Sequence, residues 1–293
     1  MAERPHITAF FDEATNTVSY LVADPETGAA AVIDPVLDFD SASGRVSTTS
    51  AERILAAADE QGWSITLVLE THPHADHLTA APVFKARTGA RVGIGAGIRA
   101  VQQAFRPLFA ADDVKHDGGD FDLLLEDGER VALGDLEIEV IATPGHTPAC
   151  VSYQVGDAVF VGDTLFMPDY GTARCDFPGG CAHQLYRSIQ RILALPPETR
   201  LFMCHDYKAP GRDAFAWETS VGEQAAGNLH LRGGVSEDDY VAMRQARDAK
   251  LSMPKLLLPA IQVNIRAGRF PPPGDDGVSY LKIPLTISQP EIS

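Results

Sequence analysis

The stretch Thr71-His72-Pro73-His74-Ala75-Asp76-His77-Leu78 packs three imidazoles and one carboxylate into six positions. Imidazole nitrogen and carboxylate oxygen are the ligands that Zn²⁺ and Fe²⁺ take, and both at this density compose a metal site. The plain alternative is a polar loop whose histidines act as hydrogen-bonding caps. That accounts for one histidine or two, not for three with an aspartate. The preceding run Ile65-Thr66-Leu67-Val68-Leu69 has the length and β-branched content of a buried strand. The ligand types thus begin where a core strand ends, the place α/β folds use for sites. Pro73 bars regular helix through His72. The first imidazoles therefore sit on a loop, with His72 and His74 facing one point and Asp76 and His77 an adjacent one.

Three further candidates arrive in the same way: His146 after the strand 136–141, Asp163 after 158–161 and His205 after 201–204. Seven ligand types on four strand ends permit two arrangements. Two Zn²⁺ ions would be held by His72, His74 and His146 and by Asp76, His77 and His205, with Asp163 bridging, which suits hydrolysis of an ester or amide. One Fe(II) held by His72, His146 and Asp163 would be a two-histidine-one-carboxylate triad with open positions for substrate and O₂. The non-enzymatic alternative is a sealed structural metal, for which four ligands suffice.

Around these residues the chain alternates strand pairs with single helices. Strands 18–23 and 29–33 flank the turn Asp24-Pro25-Glu26-Thr27-Gly28. Asp38 to Ser50 reads as polar loop. Thr49 and Glu52 have capping-box spacing for a helix through Ile54, Leu55 and Ala58 that ends near Gly62. A helix over about 79–87 follows the histidine loop, and Gly93-Ile94-Gly95-Ala96-Gly97 reads as a turn, since it lacks both phosphate-loop and dinucleotide spacing. Strands 121–125, 130–133 and 136–141 read as successive antiparallel neighbours, followed by a hairpin 151–155/158–161, a helix 183–193 and a strand 200–204. Ser236 caps a helix near 237–248. The Pro-rich Leu258–Ile287 reads as an extension wrapped on the core, burying Ile261, Val263, Ile265 and Ile283. The spans are thus 1–235 for the catalytic domain and 236–293 for the extension.

The pattern His-x-His-x-Asp-His resembles the signature loop of the metallo-β-lactamase superfamily, and with His146, Asp163 and His205 the resemblance covers most of residues 15–210. It implies an α+β, four-layer αβ/βα sandwich with the metal site at one edge of two packed sheets. Within Met167–Gly180 the core Arg174-x-Asp176-Phe177-x-x-Gly180 resembles the persulfide dioxygenase branch; the related thioesterases called glyoxalase II lack this Asp-Phe. Phe202–Lys208 and Pro259–Leu285 continue the likeness, to bacterial stand-alone and β-lactamase-hydrolase-like members. Ala173 and Cys175 depart from it, standing where many members have Gly and commonly Thr. The resemblance implies one Fe(II) per chain on His72, His146 and Asp163. His74, Asp76, His77 and His205 would orient ligands and hydrogen-bond oxygen or water. The implied substrate is glutathione persulfide or a similar small persulfide, oxidised with O₂ and water to sulfite and free thiol. The alternative is a dinuclear zinc thioester hydrolase of glyoxalase II type.

Arg174 is the candidate for a substrate carboxylate, its alternative being an ion pair with Asp176. Tyr207 matches a tyrosine that touches glutathione in related enzymes, against a plain core hydroxyl. Lys208, Arg266 and Arg269 add positive charge at the mouth or are simply solvated. Cys175 as a persulfide carrier is set against the burial usual for free cysteine, the reading also given to Cys150 and Cys204.

Of 293 residues, 45% are hydrophobic and 22% charged, which places the chain among globular proteins. The net charge of −16 is uneven: residues 1–186 carry −17 and residues 187–293 carry +1. An acidic bulk repels nucleic-acid backbone and anionic membrane, so neither is an expected partner. Four cysteines without a CxxC pair, and a start with no apolar signal core, point to the cytoplasm. The extended C-terminal segment points to a homo-oligomer, dimer or tetramer.

Overall fold

The computed structural model describes residues 4–285, so residues 1–3 and 286–293, with Ile287 and the outer ends of both expected spans, lie outside the described residues. Strand β1 (His6–Asp12) pairs antiparallel with β2 (Thr17–Ala23), and β2 with β3 (Ala29–Ile33) across the Asp24–Gly28 turn. The segment read as polar loop forms a second hairpin, β4 (Val36–Asp40) with β5 (Arg45–Ser47). Phe39 opposite Val46 gives it an apolar pair, and the Asp40 carboxylate closes the turn by accepting from Ala42 N and Ser43 Oγ. Helix α1 (Thr49–Gln61) lacks the expected capping box. Its cap is Thr48 without a side-chain bond, because the Asp38 carboxylate takes the Ser50 amide instead.

Next come β6 (Ser64–Glu70), the two-residue β7 (Leu78–Thr79), α2 (Ala81–Thr88) and β8 (Arg91–Gly95). Gly93 and Gly95 lie inside β8, not in a turn. A side chain at Gly95 would stand 2.4 Å from the Ala149 carbonyl, so another backbone crosses the strand there. Helix α3 (Ile98–Phe109), unassigned from sequence, buries Ile98, Val101, Phe105 and Phe109 along one stripe. β9 (Leu123–Leu125) fills the open edge of β8 in parallel and does not pair with the strand that follows it. β10 (Arg130–Leu133), β11 (Leu136–Ala142), β12 (Val151–Val155) and β13 (Ala158–Phe160) form an antiparallel run. After α4 (Ala182–Leu193), β14 (Arg200–Phe202) returns parallel to β13 and β15 (Glu218–Ser220) covers the edge. α5 (Val221–Gly227) starts on a Ser220–Glu223 capping box and α6 (Glu237–Asp248) on Ser236. α7 (Leu257–Asn264) occupies part of the Pro-rich tail read as a wrapped extension; Pro259 falls in its first turn, where amide hydrogens have no helical acceptor.

The strands make two six-stranded sheets, β1-β2-β3-β6-β8-β9 and β10-β11-β12-β13-β14-β15, beside a small β5-β4-β7 sheet. The two large sheets pack face to face. In β2, Val18, Tyr20 and Val22 enter the shared core with Leu133, Val140, Tyr153 and Phe160, whereas Leu21 and Ala23 face helices. All of β2 is buried because both its faces are covered. α1, α2, α3 and α7 cover the first sheet, and α4, α5 and α6 the second. This is the expected αβ/βα sandwich. The segment after residue 236 therefore straddles both halves: α6 packs on the second sheet and α7 on the first. Ile261, Val263 and Ile265 are buried, but Ile283 is 69% exposed, because residues 271–285 hold no helix or strand and run over the surface. No helix among the described residues is long and apolar enough to cross a membrane.

Candidate metal centre

All seven predicted ligand types lie at one edge of the paired sheets, each on the turn that leaves a strand. β6 delivers the His72–His77 loop, β11 delivers His146, β13 delivers Asp163 on a short 3-10 turn (Gly162–Thr164), and β14 delivers His205. Gly162 has φ +51°, and a Cβ there would lie 2.6 Å from Thr71 Oγ1. A glycine is what allows the Asp163 turn to cross the base of the histidine loop. Ligand atoms of His72, His146 and Asp163 fall within 4.8 Å of one another, and so do those of His74, Asp76 and His77. His74 falls equally within such groups with Cys204 and His205 and with Asp34 and Glu70. Its ring centroid is 4.0 Å from that of His72, but its Nε2 is turned to Asp34.

Hydrogen bonds assign each ring's tautomer. His146 Nδ1 donates to the Arg174 carbonyl at 2.7 Å and His205 Nδ1 to the Asn16 carbonyl at 3.2 Å. The Thr71 hydroxyl donates to Asp34 and accepts His72 Nδ1 at 3.0 Å. His74 Nε2 donates to Asp34 Oδ1 at 2.9 Å, and His77 Nδ1 to Asp76 Oδ2 at 3.3 Å. Every imidazole thus turns one nitrogen to an oxygen and leaves the other as a lone pair. His72 Nε2, His74 Nδ1, His77 Nε2 and His205 Nε2 are buried with no hydrogen-bond partner, as is Asp163 Oδ1. Buried polar atoms without partners are costly. Here they converge, with Asp163 Oδ2 at 3.6 Å from His146 Nε2 and 4.0 Å from His72 Nε2. Lone pairs facing a carboxylate repel it; a cation between them turns the same geometry into a ligand set, so these residues fit a metal ion.

The charges agree with that reading. Burial, then neighbouring imidazoles, hold His72 and His74 well below the usual imidazole range, so both are neutral donors. Burial pushes Asp76 up, but His205 and His77 outweigh it and hold the carboxyl well below the ordinary range. Burial lowers His205, yet Asp76 and Asp163 outweigh it and raise its pKa. Its Nε2 lies 3.3 Å from Asp163 Oδ1 and 3.5 Å from Asp76 Oδ2.

Two supports escaped the sequence reading. Asp34, which directly follows β3, sits at a left-handed φ of 49° with a buried carboxylate. It accepts the Thr71 amide at 2.7 Å, the Thr71 hydroxyl at 2.8 Å and His74 Nε2. An aspartate closing an otherwise apolar strand was the available signal. Asn264 of α7 donates to the carbonyls of His74 and His77; nothing in its sequence context marks it.

Above the ligand groups opens a cavity of about 550 Å³, whose lining includes Asp76, His146, Asp163 and Tyr207. The motif residues around Arg174 wrap His146. The Phe177 ring meets the imidazole edge-on with centroids 5.3 Å apart, and Arg174 lies 5.0 Å over Phe177. Arg174 lines the cavity, but Asp176 holds its Nε and Nη2 at 2.6 and 2.7 Å, and Ser252 O takes Nη1. Tyr207 is 40% exposed and stacks on His205. Lys208 does not line the cavity; its left-handed backbone (φ 60°) sends the ammonium over the Phe215 ring. Arg266 is neither solvated nor at the mouth, being buried against Asp113, and Arg269 pairs with Asp120. Arg247 and Lys255, which the sequence reading passed over, line the cavity exposed and without a carboxylate partner among the described residues. Burial, then Asp248, pushes the Cys175 thiol up to about 12, so it stays protonated at neutral pH.

Residues 13–205 match the Metallo-beta-lactamase superfamily. A probable metallo-hydrolase from Burkholderia pseudomallei (strain 1710b) is 54% identical over 290 residues, 95% of this chain and 98% of that protein. A beta-lactamase hydrolase-like protein from Agrobacterium fabrum is 53% identical over 283 residues, 97% of this chain but 65% of that longer protein. The crystal structure of ETHE1 from Myxococcus xanthus matches with a TM-score of 0.72 at 32% identity, covering 90% of this chain and 100% of that one. Hydroxyacylglutathione hydrolases match at lower identity; that of Rhodospirillum rubrum is 38% identical over 65% of this chain and 62% of its own.

Proposed function

The chain belongs to the metallo-beta-lactamase superfamily, and from that premise we propose that it is a persulfide dioxygenase with one Fe(II) on His72, His146 and Asp163. The observation that carries the proposal is the loop Arg174–Gly180, whose Arg-x-Asp-Phe core closes around His146. The likeness to ETHE1 over the whole of that structure supports it. The reaction balances as R–S–SH + O₂ + H₂O → R–SH + SO₃²⁻ + 2H⁺, the outer sulfur being oxidised and O₂ reduced. Fe(II), when bound, supplies open coordination positions where O₂ and a sulfur donor meet.

The chain's own residues do the rest. Thr71 and the Arg174 carbonyl fix the rings of His72 and His146 so that their Nε2 atoms face Asp163. His205, held by its Nδ1 bond to the Asn16 carbonyl, aims Nε2 between Asp163 and Asp76, the two carboxylates that line the cavity. Arg247 and Lys255 draw the anionic ends of a small thiol compound to the wall of the cavity. Phe166, Phe177 and Leu256 give that cavity apolar surface, which limits bulk water around the reacting end.

One observation favours a second reading, a dinuclear zinc thioester hydrolase. Asp163 turns Oδ2 toward His72 and His146 and Oδ1 toward His205, as a carboxylate bridging two metals does. Metal content after anaerobic purification, with sulfite and O₂ measured on glutathione persulfide, separates the two. One iron per chain with stoichiometric O₂ uptake supports the dioxygenase. Two zinc ions with thioester cleavage and no O₂ uptake overturn it.

A further inference from the structure

The Arg174 carbonyl that receives the His146 Nδ1 hydrogen and the Cys175 amide that follows it belong to one peptide plane. The far side of that plane is gripped by α6. Cys175 N donates to Asp248 Oδ2 at 2.9 Å, and Asp248 Oδ1 accepts Arg244 Nε at 2.9 Å and Nη2 at 2.7 Å. Arg244 Nη1 donates to the Thr172 carbonyl at 2.9 Å. Arg244 and Asp248 are 2% and 6% exposed. A buried ion pair is poor stabilisation in itself, since apolar residues of the same volume serve packing as well. Every remaining polar atom of this pair that makes a contact is spent on the backbone of the 172–176 loop.

We propose that Asp248 is a positioning residue for His146, acting through the Arg174–Cys175 peptide. The chain of bonds runs from Asp248 Oδ2 to the Cys175 N–H, across the rigid amide, and from the Arg174 C=O to the His146 Nδ1 hydrogen. The anionic end polarises the amide and strengthens its carbonyl as an acceptor. That carbonyl fixes the ring's tautomer and its direction, and makes Nε2 the better donor. The segment after residue 236 thereby reaches the metal centre with no side chain of its own in the ligand set. The inference rests on His146 being a metal ligand and is independent of which reaction the metal runs.

The test titrates the metal-free full chain with Co²⁺ alone, reading the dissociation constant and the visible d–d spectrum. Asp248→Asn should bind Co²⁺ about 10-fold more weakly with a shifted spectrum. Tyr240→Phe removes the hydroxyl bond from α6 to the Thr172 side chain, leaving the peptide alone, and should lower the urea midpoint without changing either reading. If Asp248→Asn does not fold, Asp248→Glu keeps the charge but moves it by one methylene, and the same weakening and shift are expected. A variant with wild-type affinity and spectrum overturns the inference. Wild-type protein that takes up no Co²⁺ overturns instead the metal reading beneath it.

Discussion

Asn264, at the end of α7, donates to the His74 carbonyl at 2.8 Å across 190 positions of chain, and its second hydrogen goes to the His77 carbonyl at 2.8 Å. Its Oδ1 accepts the Thr79 amide at 3.0 Å. One amide group therefore staples both ends of the histidine loop. Asn264→Ala leaves three buried backbone groups without partners, at about 1–3 kcal/mol each. Urea unfolding of the metal-free variant should show a loss of about 3 kcal/mol or more. An unchanged midpoint would show that the loop holds itself.

Asp163→Asn separates a working metal from a structural one. The substitution removes the carboxylate that faces both ligand groups, and metal affinity should fall by at least about 100-fold. The metal-free fold should keep its thermal midpoint, because the amide has the shape of the carboxylate and Asp163 Oδ1 has no hydrogen bond to lose. Metal content after dialysis and calorimetry of the metal-free protein check the two halves. A collapsed fold together with lost metal would indicate a sealed structural site.

His230 makes stability depend on pH. Burial, then Arg244 and Arg247, lowers its pKa to about 4, and its Nδ1 accepts the Thr172 amide at 3.0 Å, which requires a lone pair. Between pH 6.5 and 4 the unfolded chain binds the proton and the folded chain does not. Stability therefore rises with pH through this window and is lost as pH falls from 6.5 toward 4. After screening by solvent the contribution is about 1–2 kcal/mol. Stability curves of His230→Gln should be flatter over that range than those of the wild type.

Arg247 and Lys255 stand at the cavity wall without carboxylate partners among the described residues, whereas Lys208 lies over Phe215. Arg247→Ala and Lys255→Ala should each raise KM several-fold for a substrate bearing carboxylates, with kcat little changed, and the effect should shrink in high salt. Lys208→Ala should leave KM as it is. The opposite ranking of the lysines would mean that the substrate enters from another side.

The elements that carry ligands were legible because each announces itself locally. An apolar strand stops and a ligand type follows, as at Leu69–His72, Phe160–Asp163 and Phe202–His205. Sheet membership was not legible. Leu123–Leu125 reads as the first of three antiparallel strands, but its partner is β8, and only the open edge of the first sheet decides that. The β4–β5 hairpin hid in a polar segment because one apolar pair and an aspartate turn suffice at a surface. Asp34 and Asn264 were missed for a common reason: their partners lie 37 and more residues away, beyond any local pattern. Arg174 shows the reverse. Its motif drew attention as a substrate contact, while its guanidinium is held by Asp176 and its carbonyl orients His146.

The reach of Asn264 also sets an order of events during synthesis. At roughly 5–20 residues per second, about 10–40 seconds separate the emergence of His77 from that of the residue that pins it, 187 positions later. Through that interval the nascent chain displays a cluster of histidines on an unpinned loop. Metal captured by the half-made chain would bind in whatever geometry the loose loop offers, so accurate loading belongs to the finished polypeptide.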